Sequence, residues 1–155
     1  AEANRPVTWR TPHGWPVMQA YFKRKKTCVH TCFGDMSLYV ERPDSPVSVR
    51  KQMQGAAPNF IHGVDAAVIM RTAARCRNKG LAFLGVHDCF WGHAAAAEQV
   101  AKIARQAFVD THRQDLALDL WQQWTALHPD LSIPLPPAPG TLDVGLSLTA
   151  TYSMC

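Results

Sequence analysis

The stretch Leu81–His93 constrains this chain more than any other: Leu-Ala-Phe-Leu-Gly-Val-His-Asp-Cys-Phe-Trp-Gly-His. Two short apolar runs meet at a polar step, His87-Asp88. Phe83, Leu84, Val86, Phe90 and Trp91 are bulky and strand-prone, so the pattern predicts a tight β-hairpin inside a core. A carboxylate among apolar neighbours costs free energy unless it is paired, hydrogen-bonded or metal-bound. Asp88 is therefore either a solvated turn residue or a metal-binding carboxylate held on rigid strands.

The rest of the chain bounds the choice. Its 155 residues, 47% of them hydrophobic, suffice for one domain with a real core, so a folded piece is expected rather than a disordered one. The net charge of +4, from 16 basic and 12 acidic residues, permits an anionic partner without demanding one. Five cysteines with one close pair fit reduced thiols in an intracellular compartment better than a disulfide framework. No apolar run reaches the roughly 18 residues of a membrane span. The start, Ala-Glu-Ala-Asn-Arg-Pro, reads as neither signal nor transit peptide. Without an initiator Met, the chain is expected to be a processed or excised piece.

Prolines forbid a helix near the start. Val7-Thr8-Trp9 and Val17–Phe22 read as strands joined by a Pro-His-Gly turn, and the tryptophans as core or as a stacking surface. Lys23-Arg24-Lys25-Lys26 is a solvated loop or a phosphate contact. Cys28, His30 and Cys32 cluster, yet zinc needs further ligands and none is obvious in the spacing. Alternation from Thr27 to Val40 predicts a second hairpin turning at Gly34-Asp35, followed by a loop over Glu41–Pro46. A helix is expected over Val64–Asn78, with Gly80 as its stop and Asp65 suiting its first turn. Ala67, Met70, Ala74 and the Arg77 stem would make one face of it; Arg71, Arg75 and Lys79 would make a basic stripe on another. Helices are predicted over Ala94–His112, burying Val100, Ile103, Ala104, Ala107 and Phe108, and over Asp115–Leu127, burying Ala117, Leu120, Trp121 and Trp124. Pro134–Gly140 is extended; a short segment Asp143–Leu148 precedes the tail Tyr152–Cys155. Phe83, Leu84, Val86, Phe90, Val100, Ile103, Phe108 and Trp124 should share one core.

Three chemistries are open to these residues. His87, Asp88 and Cys89 cannot form a nucleophilic triad among themselves, because successive strand side chains point to opposite faces. A His-Asp phosphohydrolase, with His62 as partner, places its pair on helices rather than between strands. The third is phosphoryl or nucleotidyl transfer. Magnesium takes one or two protein carboxylates, and a carboxylate at a hairpin turn is rigidly held.

Val86-His87-Asp88-Cys89-Phe90-Trp91 followed by His93 resembles the motif C hairpin of single-subunit, phage-type RNA polymerases, the group that includes mitochondrial and chloroplast enzymes. Pro58-Asn59-Phe60-Ile61-His62 with Asp65 is similar to the segment preceding that hairpin. Arg5–Trp9 and Thr11–Val17 resemble the approach to the promoter-reading loop, Arg50-Lys51-Gln52 its exit, and Pro134-Leu135-Pro136 with Gly140 and Asp143 the C-terminal end. Gly63 stands where Ser is usual, Gly92 where Thr is common, and Ser-Met-Cys follows Tyr152 where the chain end is typically aromatic.

The resemblance implies an α+β fold, a C-terminal palm-and-fingers segment of β-hairpins packed on helices. Residues 1–155 would form one segment: a specificity-hairpin region at 20–49, the motif C hairpin at 81–93, helices at 94–127 and a tail at 134–155. It implies that Asp88 binds catalytic Mg2+, that His87 sits near the growing RNA end, and that His62 lies by the template duplex. Lys23, Arg24, Lys25, Lys26, Arg50, Lys51, Arg71 and Arg75 become candidate nucleic-acid contacts. DNA template and RNA product would be the partners, with the remaining polymerase segments supplying the first metal-binding Asp and the nucleotide-binding Lys and Tyr. The setting would be mitochondrial, or else chloroplast or phage-encoded. The competing expectation is a non-catalytic, polymerase-derived remnant serving as a structural or RNA-binding subunit of a larger ribonucleoprotein, such as a mitochondrial ribosome.

Overall fold

A computed structural model describes residues 4–41 and 44–150. The tail Tyr152–Cys155 and part of the Glu41–Pro46 loop lie outside them. Strands β1 (Thr8–Arg10), β2 (Pro16–Met18), β3 (Lys25–Thr31) and β4 (Gly34–Val40) precede helix α1 (Val49–Asn78). Strands β5 (Phe83–Val86) and β6 (Cys89–Gly92) follow, then helices α2 (Ala97–His112) and α3 (Leu116–Leu127). The fold is α+β, with small antiparallel sheets and helices. No helix among the described residues is long and apolar enough to cross a membrane.

The chain divides into two compact units. One comprises the residues up to Thr8 together with Val17–Asn59; the other comprises Trp9–Pro16 and the residues from Phe60 onward.

In the first unit the centre is polar. Gln19 and Gln52 are both buried. Each donates its side-chain amide to the other's backbone carbonyl, at 3.3 and 2.6 Å. Gln52 Oε1 also accepts from the Val7 amide, and Asn59 donates to Gln19 Oε1 and to the Tyr21 hydroxyl. Each buried amide is thereby satisfied, as burial requires. The strand expected over Val17–Phe22 ends at Met18 and resumes only as a bridge between Phe22 and Val47. Strands β3 and β4 pair from Lys25↔Val40 to Thr31↔Gly34. The turn is therefore Cys32-Phe33, not Gly34-Asp35 as the sequence suggested. Gly34 closes it with φ +124°, a conformation only glycine adopts without strain.

Helix α1 begins at Val49, well before the predicted Val64. Gly55, Pro58 and Gly63 read as a loop, and an interior proline costs about 3 kcal/mol. The Gln19–Gln52–Asn59 network holds the early turns instead. Gly55 is required there: a Cβ would stand 2.7 Å from Gln19 Oε1 and from the Tyr21 ring. Asp65 is consequently mid-helix and has no role at the helix N-terminus.

The second unit carries the apolar core. Along α1 the buried line is Val64, Ala67, Val68, Thr72 and Cys76, so the expected face through Ala74 and Arg77 is wrong; both are exposed. Val100 and Ile103 of α2 join Cys76, with Leu81 and Phe83 packed against them. Ala104, Ala107 and Val109 are also buried and Phe108 half-buried, close to the predicted stripe. Leu120, Trp121 and Trp124 are half-buried while Ala117 is exposed, contrary to expectation. Gly80, at φ +66°, ends α1, where the Leu81 amide reaches the Cys76 carbonyl. Asp115 caps α3 by accepting from the Leu118 amide at 3.0 Å. Gln123 of α3 exchanges two hydrogen bonds with the Arg10 backbone, holding β1. Trp9 is buried and meets Phe60 edge-on at 6.4 Å, whereas Trp15 is 57% exposed. The four described cysteines are free.

Candidate active site

The β5–β6 register fixes what the hairpin presents. Phe83 pairs with Gly92, Leu84 with Trp91, Gly85 with Phe90 and Val86 with Cys89. Alternation then puts Phe83, Gly85, Phe90 and Gly92 on one face. That face packs: the Phe83 and Phe90 rings lie 5.5 Å apart. Its two glycines let the strands approach their neighbours. A Cβ on Gly85 would lie 2.9 Å from Ile69 Cγ2, and one on Gly92 would lie 3.3 Å from the Ala82 carbonyl and 3.5 Å from Val100 Cγ2. Leu84 and Val86 fall on the other face, 60% and 46% exposed. The expectation that they join the core is corrected by the period of two.

His87 and Asp88 form the two-residue turn. His87 has φ +54°, the left-handed region, which a non-glycine residue enters at a cost. Asp88 is exposed, not enclosed in the core as the apolar flanks implied. Its neighbour Cys89 donates a weak thiol contact to Oδ1 at 3.8 Å.

Beneath the turn lies a cavity of about 800 Å³. His62, Asp65 and Ile69 reach it from α1, on one helical face; His87, Asp88 and Phe90 reach it from the hairpin, and Phe108 from α2. His62 and Asp65 from one segment singled out in the sequence, and His87, Asp88 and Phe90 from the other, thus converge on one space. Asp65 was missed as a site residue because it looked like a helix-start acid. Its spacing of three from His62 was the signal available.

The donor set suits magnesium. That ion uses oxygen ligands and keeps several waters, so one or two accessible carboxylates suffice. Asp88 is such a carboxylate, exposed at the hairpin tip and lining the cavity, and Asp65 is a second on the same cavity. Among the described residues, Asp88 belongs to no trio of His, Cys and carboxylate donors lying within 4.8 Å of one another.

The basic candidates are dispersed. Lys23, Arg24, Lys25 and Lys26 are exposed at the base of β3, with Arg24 3.8 Å from Glu41. Arg50 and Lys51 are exposed on the first turn of α1. Arg71 and Arg75 are half-buried. Arg75 donates to Asp110, which also accepts from Gln106 at 2.8 Å. The Arg75 hydrogen bond holds the Asp110 carboxyl below its ordinary range, helped by Gln106 and by the charges of Arg75 and Arg71 against the opposing effect of burial. Arg75 therefore has a partner inside the fold.

A family profile described as "DNA-dependent RNA polymerase" matches residues 1–143. The chain belongs to the phage-type DNA-dependent RNA polymerase family. Polymerase relatives agree over nearly its whole length. It is 38% identical to "DNA-directed RNA polymerase 3, chloroplastic" of Nicotiana sylvestris, over 98% of this chain and 15% of that protein. The same figures hold for "DNA-directed RNA polymerase 1, mitochondrial" of Arabidopsis thaliana. It is 36% identical to "DNA-directed RNA polymerase 1A" of Nicotiana tabacum, over 98% of this chain and 97% of that one. The chain thus spans about 15% of the length of the polymerases of Nicotiana sylvestris and Arabidopsis thaliana.

Proposed function

We propose that this chain carries the metal-binding hairpin of an organellar DNA-directed RNA polymerase, in the C-terminal part of that enzyme, and takes part in template-directed nucleotidyl transfer. One arrangement supports the reading most: Asp88, at an exposed two-residue tip, shares a cavity with His87, His62 and Asp65. Asp88 would hold magnesium there, and the ion would supply charge stabilisation for an in-line displacement. The paired strands on either side of the turn would position the Asp88 carboxylate toward that ion. His87 and His62 offer ring nitrogens to phosphate oxygens of the RNA end and the template. The 20–49 region acts as the specificity hairpin. Lys23–Lys26, Arg50, Lys51 and Arg71 contact nucleic-acid phosphates, while Arg75 serves the fold through Asp110. The remaining polymerase segments supply the other metal-binding aspartate and the nucleotide-binding residues. The compartment is the mitochondrion, with the chloroplast as alternative; the names of the relatives support both.

Primer extension with magnesium tests this, comparing the isolated chain, a polymerase containing this segment, and that polymerase with Asp88→Asn. The isolated chain should make no RNA. Asp88→Asn keeps the shape of an exposed side chain and removes its charge, so it should abolish nucleotide addition with an unchanged circular dichroism spectrum. A polymerase that works normally with Asp88→Asn refutes the metal role. RNA binding without extension by any assembly holding the segment would mark a non-catalytic remnant instead.

A further inference from the structure

We propose that the β3–β4 hairpin carries a zinc site made by Cys28, His30 and Asp35 and completed by water. The inference rests on the hairpin register and is independent of the polymerase reading. Cys28 and His30 are two apart on β3, so their side chains share a face. Asp35 stands directly across the ladder from His30. One ligand atom from each of the three lies within 4.8 Å of the others. His30 Nδ1 already meets Asp35 Oδ1 at 2.5 Å.

An exposed His–Asp pair alone is an ordinary surface contact. The thiol beside it changes the chemistry, because sulfur, imidazole nitrogen and carboxylate oxygen are the three donor types zinc accepts. Tetrahedral bonds of about 2.0–2.3 Å put neighbouring ligand atoms about 3.3–3.8 Å apart. His30 and Asp35 must open by about 1 Å, and Cys28, already within 4.8 Å of both, need close by no more than about the same, by side-chain rotation on an open surface. The scaffold is braced for this. The Thr31 hydroxyl donates to the Gly34 carbonyl at 2.7 Å and accepts from the Phe33 amide at 3.3 Å, fixing the turn beside the pair. Cys32, the partner suggested by sequence spacing, lies in that turn and is not needed.

The 155-residue chain, kept reduced, is titrated with Co2+ and then with Zn2+. One equivalent of Co2+ should produce a near-ultraviolet sulfur-to-cobalt band that Zn2+ displaces. Cys28→Ser should remove the band; Cys32→Ser and Cys89→Ser should keep it. His30→Ala and Asp35→Asn should each lower zinc affinity about tenfold or more, since even residues that only orient ligands cost that much. Binding should weaken as pH falls, because Cys28 must lose its proton. All the substituted side chains but Cys89 lie on this exposed hairpin, so an unchanged circular dichroism spectrum certifies each variant. No band, a band that survives Cys28→Ser, one lost with Cys32→Ser or Cys89→Ser, or zinc affinity unmoved by His30→Ala and Asp35→Asn overturns the site.

Discussion

Replacing Gly85 by Ala tests whether the inner glycines set the seat of the Asp88 hairpin. The added Cβ would lie 2.9 Å from Ile69 Cγ2, where ordinary contact begins at 3.4 Å. Isoleucine is stiff at χ1, so Ile69 cannot yield freely. Either it leaves its rotamer or β5 lifts from α1; overpacking of this kind costs about 1–3 kcal/mol. Against this, Gly85 has no positive φ, so alanine gains about 0.4–1 kcal/mol by restricting the unfolded chain. The net expectation is a loss of about 1 kcal/mol. In an Ile69→Ala background the clash is gone, and the same change should stabilise by about 0.4–1 kcal/mol. The double-mutant cycle should therefore give a coupling of about 1–3 kcal/mol. Because the chain has two compact units, a single global transition is a poor readout. Hydrogen exchange of the β5–β6 ladder amides under increasing urea reads the second unit by itself. If Gly85→Ala has the same effect in both backgrounds, within about 0.5 kcal/mol, the close approach to Ile69 does not position the hairpin. In a working polymerase, lifting the tip by about 1 Å should slow nucleotide addition about a hundredfold.

Two further outcomes follow from the charges. Asp110 has a folded pKa below its unfolded value, so its contribution is present above the unfolded pKa, near 4, and lost as pH falls through the folded one. Asp110→Asn should therefore cost stability at neutral pH and flatten the acid limb of the stability–pH curve; with Arg75 36% exposed, solvent screening holds the cost to about 1 kcal/mol or less. An equally steep acid limb in the variant would deny the Arg75 pairing its role. Changing Lys23–Lys26 together to alanine should weaken DNA binding and lower the slope of log affinity against log salt by up to about one per lost phosphate contact; an unchanged slope leaves the run a solvated strand edge.

Local pattern alone determined much of this protein. Helices α2 and α3 were legible because their apolar residues recur at helical spacing, and Asp115 and Gly80 mark ends by chemistry that acts within one turn. The tight hairpin at His87-Asp88 was legible because two short strand-prone runs meet there at a polar step. The early turns of α1 were not. Gly55 and Pro58 argue locally against a helix, and only the Gln19–Gln52–Asn59 network, reaching across 33 to 40 residues of sequence, outweighs them. Leu84 and Val86 look like core by hydrophobicity, but the period of two that the register enforces puts them on the exposed face. The cavity was beyond sequence reach: His62 and Asp88 share no spacing, and folding alone brings α1 under the hairpin. Likewise, the spacing of Cys28, His30 and Cys32 gives no sign that Asp35 is a neighbour of His30. Asp35 stands with His30 because the chain turns at Cys32-Phe33, and a turn one residue away would pair His30 differently. Side-chain periodicity is a property of neighbours along the chain, whereas a site is a property of neighbours in space.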